Sequence, residues 1–141
     1  MFCGEYRLSL DDKGRMRIPN KLRAQLEDEF VISAAPGGCL MLLPRKEFER
    51  RFTARTETLN LRDRAEQTAL RKLCSTACIP EEDSQGRFVL PAKLKTLGGI
   101  KKKLVFLGVV DRIEIWSEER YDEDYDPESI DMDEVVDALV I

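Results

Sequence analysis

The sequence predicts a mixed α+β fold in which two similar halves form one compact body, followed by an acidic C-terminal tail. A motif in residues 11–23 recurs in residues 83–95, segments of alternating polarity flank each copy, and acidic side chains concentrate after residue 117. The chain has 141 residues, of which 43 % are hydrophobic and 35 % are charged. This size and composition suit one globular body, because either half alone would have a marginal core.

The repeat defines the predicted organisation. Both copies share the pattern Asp-x-x-Gly-Arg, followed by apolar-x-apolar-Pro-x-Lys-Leu and a basic residue, starting at Asp11 and at Asp83. Self-similarity of this kind indicates two units of similar structure. The predicted regions are a first unit at 5–46, a helical connector at 47–76, a second unit at 77–120 and an acidic tail at 121–141.

In the first half, period-two alternation predicts strands and apolar spacing of three to four residues predicts helices. Asp11 and Gly14 suit the first and last positions of a turn, and Asn20 is the predicted N-cap of a short helix. The predicted elements are strands at 6–10, 16–18, 30–33 and 40–43, the last two paired, and helices at 20–26 and 46–52.

The second half repeats this order, and the segment between the halves has the apolar face of a helix. The predicted elements are a helix at 62–74, strands at 77–79, 87–90, 104–107 and 113–116, the last two paired, and a helix at 92–97. Trp116 is predicted to belong to the core. In the tail, residues 121–128 are expected to be mobile, and apolar spacing predicts an acidic amphipathic helix near Val135 with Ser129 as its N-cap.

Charge is distributed unevenly along the chain. The net charge is −4, but residues 117–141 carry 11 acidic residues and one arginine, a net charge of −10. The preceding part carries 22 basic against 16 acidic residues, a net charge of +6. A basic body with an acidic tail is compatible with nucleic-acid binding, although the whole chain is acidic.

Several classes of function are disfavoured. Histidine is absent, which excludes Ser-His-Asp and Cys-His catalysis and histidine-containing metal sites. Cys3, Cys39, Cys74 and Cys78 lack paired Cys-x-x-Cys spacing, so free thiols in a reducing cytoplasm are expected. We expect no enzyme, no catalytic residue, no metal or other cofactor, no small-molecule substrate, no secretory signal and no membrane association.

The repeated turn has a structural interpretation. Aspartate accepts backbone N–H bonds in turns, and glycine adopts conformations that other residues avoid. We therefore expect Asp11, Gly14, Asp83 and Gly86 to shape hairpins rather than to perform acid–base chemistry.

The basic residues of the first copy indicate a binding surface. A two-stranded ribbon fits the major groove of DNA, where arginine bonds guanine edges and lysine holds phosphates. We predict DNA contact at Arg15 and Arg17, with Lys13 and Arg7 beside them. The second copy keeps Arg87 but has Val89 in place of Arg17, so the first copy is the expected stronger DNA reader. For Lys21, Arg23, Lys93 and Lys95, DNA contact and an ordinary solvated position are equally favoured.

Five short motifs stand in a distinctive order: Met1-Phe2-x-Gly4, Asp11-x-Lys13-Gly14-Arg15-x-x-Ile18-Pro19, Cys39-Leu40-x-Leu42-x-Pro44, Asp83-x-x-Gly86-Arg87 and Glu114-x-Trp116-x-Glu118. Together they resemble the MraZ family of bacterial regulators, encoded at the head of the division and cell-wall gene cluster. The resemblance covers residues 1–121.

The resemblance implies two SpoVT-AbrB-like swapped-hairpin units and a ring-shaped homo-oligomer, often of eight subunits. It also implies a transcriptional regulator, typically a repressor, that binds tandem direct repeats of double-stranded DNA at its own promoter. Carried over by position, Arg15 is the foremost DNA-contacting residue. Such a protein acts in the cytoplasm, associated with the nucleoid.

An alternative interpretation is a protein-interaction module. Some swapped-hairpin domains serve as antitoxins or assembly adaptors, and the predicted acidic helix of the tail is a surface that could bind a partner. A stoichiometric protein partner without DNA binding would favour this alternative.

Overall fold

The protein is described by a computed structural model covering residues 1–27, 29–125 and 127–139. The strands of its main sheet are β1 (Phe2–Ser9), β3 (Phe30–Ala34), β4 (Leu40–Pro44), β6 (Lys103–Val110) and β7 (Arg112–Ser117). They lie in the order β1-β6-β7-β4-β3, and every neighbouring pair is antiparallel. The mixed α+β class and both predicted strand pairs are confirmed.

A separate two-stranded sheet, which we call the ribbon, carries the repeated motif. It pairs β2 (Arg15–Arg17) with β5 (Arg87–Val89) in antiparallel register. The turn at residues 11–14 therefore does not close a local hairpin: β1 pairs with β6 along its whole length of eight residues, and β2 pairs with the matching strand of the other copy. A partner as long as β1 satisfies more of its backbone groups than the three residues of β2 could.

The helices other than the one at Glu118–Asp124, which was not predicted, lie near their predicted positions with different ends. In chain order, the helices are α1 (Asn20–Arg23), α2 (Arg45–Thr58), α3 (Arg64–Thr76), α4 (Ala92–Gly98), α5 (Glu118–Asp124) and α6 (Met132–Leu139), with a short 3₁₀ turn at Pro127–Ser129. None of the helices in the described ranges has the length and apolarity that a membrane span requires. The predicted strand at 77–79 is reduced to a single bridge between Ile32 and Cys78.

Three predictions are wrong: the N-caps of two helices and the absence of regular structure in the first part of the tail. Pro19 is the N-cap of α1 and Asn20 is its first residue, because the Pro19 carbonyl accepts the N–H groups of Leu22 and Arg23, each at 2.9 Å, and no side chain caps the helix. The Asp131 carboxylate accepts the N–H of Asp133 at 3.0 Å, so aspartate rather than Ser129 caps α6. Much of the stretch expected to be mobile is helical, because α5 reaches Asp124.

The core lies between the main sheet, the ribbon and the two short helices α1 and α4. Leu22 and Leu94, which occupy matching positions in the two motif copies, are fully buried in it. On the other face of the sheet, Trp116 is buried as predicted and packs edge-on against Tyr121 of α5, with ring centroids 6.1 Å apart. The cysteines are free thiols, and burial raises the pKa of the Cys39 thiol to about 12.

Candidate nucleic-acid interface

The two motif turns have the same geometry. In the first, Asp11 Oδ1 accepts the backbone N–H groups of Lys13 at 3.0 Å and Arg15 at 2.8 Å. In the second, Asp83 Oδ1 accepts those of Gln85 at 2.8 Å and Arg87 at 2.9 Å. The aspartate side chains thus satisfy the backbone donors of both turns, as Asx-type turns do.

Glycine completes each turn because the chain there takes a left-handed conformation. Gly14 has φ of +74° and Gly86 has φ of +75°, values that L-residues with a Cβ adopt at a cost. The bonds from Arg15 and from Arg87 lower the pKa of Asp11 and of Asp83 below the ordinary aspartate value. Because such a carboxylate is ionised near neutral pH, it has no proton to donate as a general acid there, and its role is to shape the turn.

The ribbon has an apolar and a basic face. Met16 and Phe88 lie directly opposite each other, and both are about 2 % exposed within the core. Because neighbouring residues of a strand point to opposite faces, the residues on either side of this pair point outward. The outward residues are Arg15 opposite Val89 and Arg17 opposite Arg87.

The aspartates also orient two of the outward arginines. Arg15 Nε donates to Asp11 Oδ2 at 2.7 Å, and Arg87 Nε donates to Asp83 Oδ2 at 2.8 Å. Because this hydrogen bond uses Nε, the two terminal nitrogens of the guanidinium group point away from the aspartate and can donate to a ligand. Arg15 Nη1 lies 3.9 Å from Asp83 Oδ2, so this arginine stands between the two turns.

Arg17 is held less firmly than the other two ribbon arginines. Its Nη1 lies 3.5 Å from the backbone oxygen of Gln85, a long contact across the ribbon. Its side chain is exposed and passes over Gly86 of the second turn. Arg17 is therefore the ribbon arginine that is most available to an incoming anion.

An open groove of about 490 Å³ runs between the ribbon and β1, and we call it the ribbon groove. The groove is lined by residues 6–9 of β1, residues 15–20 and parts of both turns. Its charged lining consists of four arginines and one carboxylate: Arg7, Arg15, Arg17, Arg87 and Asp11. Gln85, which sequence reasoning did not single out, also lines it; its signal is that it occupies the turn position matching Lys13.

Arg7 lies on the β1 wall of the ribbon groove and is engaged by the tail. Its guanidinium donates to both oxygens of Asp122, at 2.7 and 3.2 Å, and lies 5.5 Å from the centre of the Tyr121 ring. The ion pair raises the pKa of Arg7 and lowers that of Asp122. The structure thus brings Arg7 to the ribbon arginines and, at the same time, neutralises it.

The basic residues of the two short helices divide into two groups. Lys21 and Lys93 are exposed at matching positions of α1 and α4, and Lys95 is half-buried. Arg23 is built into the body: its guanidinium forms a two-bond ion pair with Glu82, at 2.8 and 3.2 Å, and donates to the Glu27 carbonyl at 2.9 Å. Arg23 therefore stabilises the link between the two copies and stands apart from the outward arginines.

The described residues contain no group of three or more histidine, cysteine, aspartate or glutamate side chains that could hold a metal ion. The most distinctive surface of this α+β body is instead a short antiparallel ribbon with outward arginines. Strands that present basic side chains in this way are typical of the β-ribbon class of transcriptional regulators.

Comparison with known proteins gives the family. The family model of the MraZ protein, described as antitoxin-like, matches residues 1–72 and 74–137. The transcriptional regulator MraZ of Clostridium beijerinckii is 40 % identical over 139 residues, which cover 99 % of this chain and 96 % of that protein. The transcriptional regulator MraZ of Lactobacillus helveticus is 38 % identical over 142 residues, covering 96 % of this chain and 99 % of that protein.

The chain therefore belongs to the MraZ family, as its ordered motifs indicated. Its relatives are named as regulators of transcription and not as enzymes. The expectation of a non-enzymatic, regulatory protein agrees with this family.

Proposed function

We propose that the chain is a sequence-specific transcriptional regulator whose ribbon enters the major groove of double-stranded DNA. The observation that carries this proposal is the placement of Arg15, Arg17 and Arg87 on one outward face of a ribbon whose other face is anchored in the core. The paired donors of a guanidinium group match O6 and N7 of guanine. Because the turn aspartates hold Arg15 and Arg87, little side-chain freedom is lost when they bind.

Phosphate contacts surround this reading surface in the proposed complex. Lys13 in the first turn and Arg7 at the groove wall flank the ribbon, and Lys21 and Lys93 are exposed on the adjoining helices. Such contacts set the position of the protein on the duplex without reading its sequence. Lys95 is a secondary contact, and Arg23 is omitted because Glu82 and backbone carbonyls occupy its donors.

A ribbon of three residues per strand offers few base contacts, so specificity has to come from several copies acting together. By resemblance to the MraZ family, we propose a ring-shaped homo-oligomer, often of eight subunits, that binds tandem direct repeats at its own promoter. Linking many weak contacts raises the overall affinity through a high effective concentration. The proposed role is repression of the division and cell-wall gene cluster, in the cytoplasm and associated with the nucleoid.

The test is fluorescence anisotropy of the full chain with two labelled duplexes at moderate salt. One duplex carries the tandem repeats upstream of the protein's own gene, and the other is a scrambled sequence of the same length. We expect binding to the repeats to be tighter by about two orders of magnitude. Equal binding to both duplexes would contradict sequence-specific recognition.

A triple variant assigns the effect to the ribbon. Replacing Arg15, Arg17 and Arg87 with glutamine should abolish the preference for the repeats. The matched control is Arg71→Gln, which removes a positive charge from the exposed surface of α3, away from the ribbon groove. Light scattering of both variants should give the oligomeric mass of the original protein, which separates loss of DNA contact from loss of assembly.

A second candidate function is a protein-interaction module. It is favoured by α6, whose apolar side chains Met132, Val135, Val136 and Leu139 are all exposed. A stoichiometric protein partner, found together with no binding to either duplex, would support this function over DNA binding.

A further inference from the structure

The acidic helix α5 lies between two surface regions that are rich in basic side chains. On one side of it, Arg7 belongs to the ribbon groove together with Arg15 and Arg17. On the other side, the lysines of residues 101–103 line a second depression with Glu118, Glu119 and Asp122 of α5. The α5 carboxylates therefore lie where two cationic regions meet.

The contact between α5 and the ribbon groove is specific and not diffuse. Arg7 Nη2 lies 2.7 Å from Asp122 Oδ1, and Arg7 Nη1 lies 3.2 Å from Asp122 Oδ2. Two further carboxylates lie near the same guanidinium: Glu5 Oε2 at 3.5 Å from Nε and Glu118 Oε2 at 3.8 Å from Nη1. This paired geometry is the one in which arginine also binds a phosphate group, so a phosphate and Asp122 would use the same donors of Arg7.

The body holds α5 in place independently of this ion pair. The Ser117 hydroxyl accepts the backbone N–H of Arg120 at 3.1 Å and so caps the helix. Arg120 Nη1 donates to the carbonyls of Gly38 at 2.8 Å and Leu97 at 3.0 Å, and Tyr121 is buried. Because the helix is already fixed, Asp122 reaches Arg7 with little loss of conformational freedom, unlike most surface ion pairs.

We propose that Asp122, assisted by Glu118 and Glu5, is an intramolecular competitor of DNA phosphate for Arg7, so that Arg7 makes its phosphate contact only when the ion pair breaks. This rests on the proposed DNA-binding function. A duplex that binds in the ribbon groove must either break the Arg7–Asp122 ion pair or bind without a phosphate contact from Arg7. The competition therefore lowers affinity for DNA of any sequence by a similar factor and leaves base reading to the ribbon arginines.

The test compares Asp122→Asn with the full chain in salt titrations on the scrambled duplex. Removing the competitor should tighten binding about two- to fivefold at low salt, the range expected for one surface ion pair. The slope of log affinity against log salt should also become more negative by about 0.9, because one further phosphate is neutralised. A purely structural role for Asp122 would not change this slope.

The matched control is Asp124→Asn, which removes the same charge from the same helix but lies outside the ribbon groove and the depression beside it. It should leave the slope unchanged. A double-mutant cycle provides the second check: in an Arg7→Gln background, Asp122→Asn should have no effect. Fluorescence of Trp116, which packs against Tyr121, reports whether α5 stays in place in each variant.

The outcomes separate the two proposals. If the original protein binds DNA and Asp122→Asn behaves like Asp124→Asn, the competitor role is wrong and the DNA-binding function stands. If the effect of Asp122→Asn persists in the Arg7→Gln background, Arg7 is not the group being masked, and the proposal is overturned. If neither the original protein nor any variant binds either duplex, the DNA-binding function itself fails.

Discussion

The two copies of the Asp-x-x-Gly-Arg motif share a backbone and differ in their surface. Each aspartate accepts the same two backbone N–H bonds and the same arginine Nε, and each glycine has nearly the same positive φ. Yet Lys13 and Arg17 of the first copy match Gln85 and Val89 of the second. The residues that form the turn are thus separate from those that give the outer face its charge, so one copy can gain or lose binding groups without altering the fold.

The copies also differ on the inner face of the ribbon, and this difference gives the largest expected effect. Phe88 packs edge-on against Phe30, with ring centroids 5.7 Å apart, whereas its partner Met16 has a flexible side chain. Phe88→Ala should lower the free energy of unfolding by about 3–5 kcal/mol, and Met16→Ala by a smaller amount, at the lower end of the range of about 2–5 kcal/mol. Urea denaturation followed by Trp116 fluorescence measures both.

The control for the inner face is Val89→Ala. Val89 is 53 % exposed on the outer face of the same strand pair, and surface changes of this kind usually stay within about 0.5 kcal/mol. A cost for Val89→Ala equal to that for Phe88→Ala would mean that the two faces of the ribbon are wrongly assigned.

The next largest effect distinguishes the two motif arginines. Arg15→Ala should remove about 1–3 kcal/mol of binding free energy for the tandem repeats, roughly a 5- to 150-fold loss. Arg87→Ala should cost less, because the second copy has Gln85 and Val89 where the first has Lys13 and Arg17, so fewer basic side chains act beside Arg87 in its own copy. Anisotropy with the two duplexes measures both losses while light scattering checks that assembly is intact. Normal repeat binding by Arg15→Ala would exclude Arg15 as a reading residue.

A smaller effect should follow from exchanging the one outward strand position at which the two copies differ. Val89→Arg adds an arginine opposite Arg15, and Arg17→Val removes the arginine that lies opposite Arg87. The first change should steepen the salt dependence of binding to the scrambled duplex by about 0.9 in slope, and the second should reduce it by a similar amount. If both variants keep the original slope, position 17 and its counterpart do not contact the DNA in the non-specific complex.

The smallest effect concerns pH and tests what the copies have in common. The pKa values of Asp11 and Asp83 are lowered in the folded protein by their bonds to the turn. Their stabilising contribution is therefore present above the unfolded aspartate pKa of about 3.9 and is lost as the pH falls through the lower folded value. Replacing either aspartate with asparagine should flatten the decline in thermal stability below about pH 4.

The two asparagine variants should behave alike, because the turns make the same hydrogen bonds. Thermal unfolding at several pH values between about 2.5 and 7 provides the comparison. A flattened curve for Asp11→Asn alone would show that the two turns differ in stability despite their common geometry. The corresponding control is Asp12→Asn, since Asp12 is exposed in the first turn and does not occupy the motif position.

Much of the local structure could be read from the sequence. The turns, the paired strands that follow each motif copy and the buried position of Trp116 were all predicted, because they depend on residue type and on spacing over a few positions. Helix ends were less accurate: the cap of α1 falls on Pro19, and α2 continues to Thr58. Ends depend on small differences between competing backbone partners, which neighbouring residues alone do not decide.

The candidate site was predictable as a set of residues and not as an arrangement. The sequence placed Arg15 and Arg17 on one strand face, since alternation requires it. The sequence alone could not show that Arg87 lies opposite Arg17. Nor could it show that Arg7 forms an ion pair with Asp122, near the other end of the chain, or that Arg23 forms one with Glu82. Each of these contacts joins residues far apart in the chain.

By itself, then, the sequence determined the repeated turn, the apolar and basic faces of the strands around it, the acidic tail and the family. Only the tertiary structure decided that β2 pairs with β5 and that Asp122 of α5 forms an ion pair with Arg7. The physical reason is the distance along the chain over which each interaction acts. Turn chemistry and side-chain alternation act within a few residues, whereas the choice among possible strand partners depends on which pairing buries the most apolar surface and satisfies the most backbone groups in the whole body.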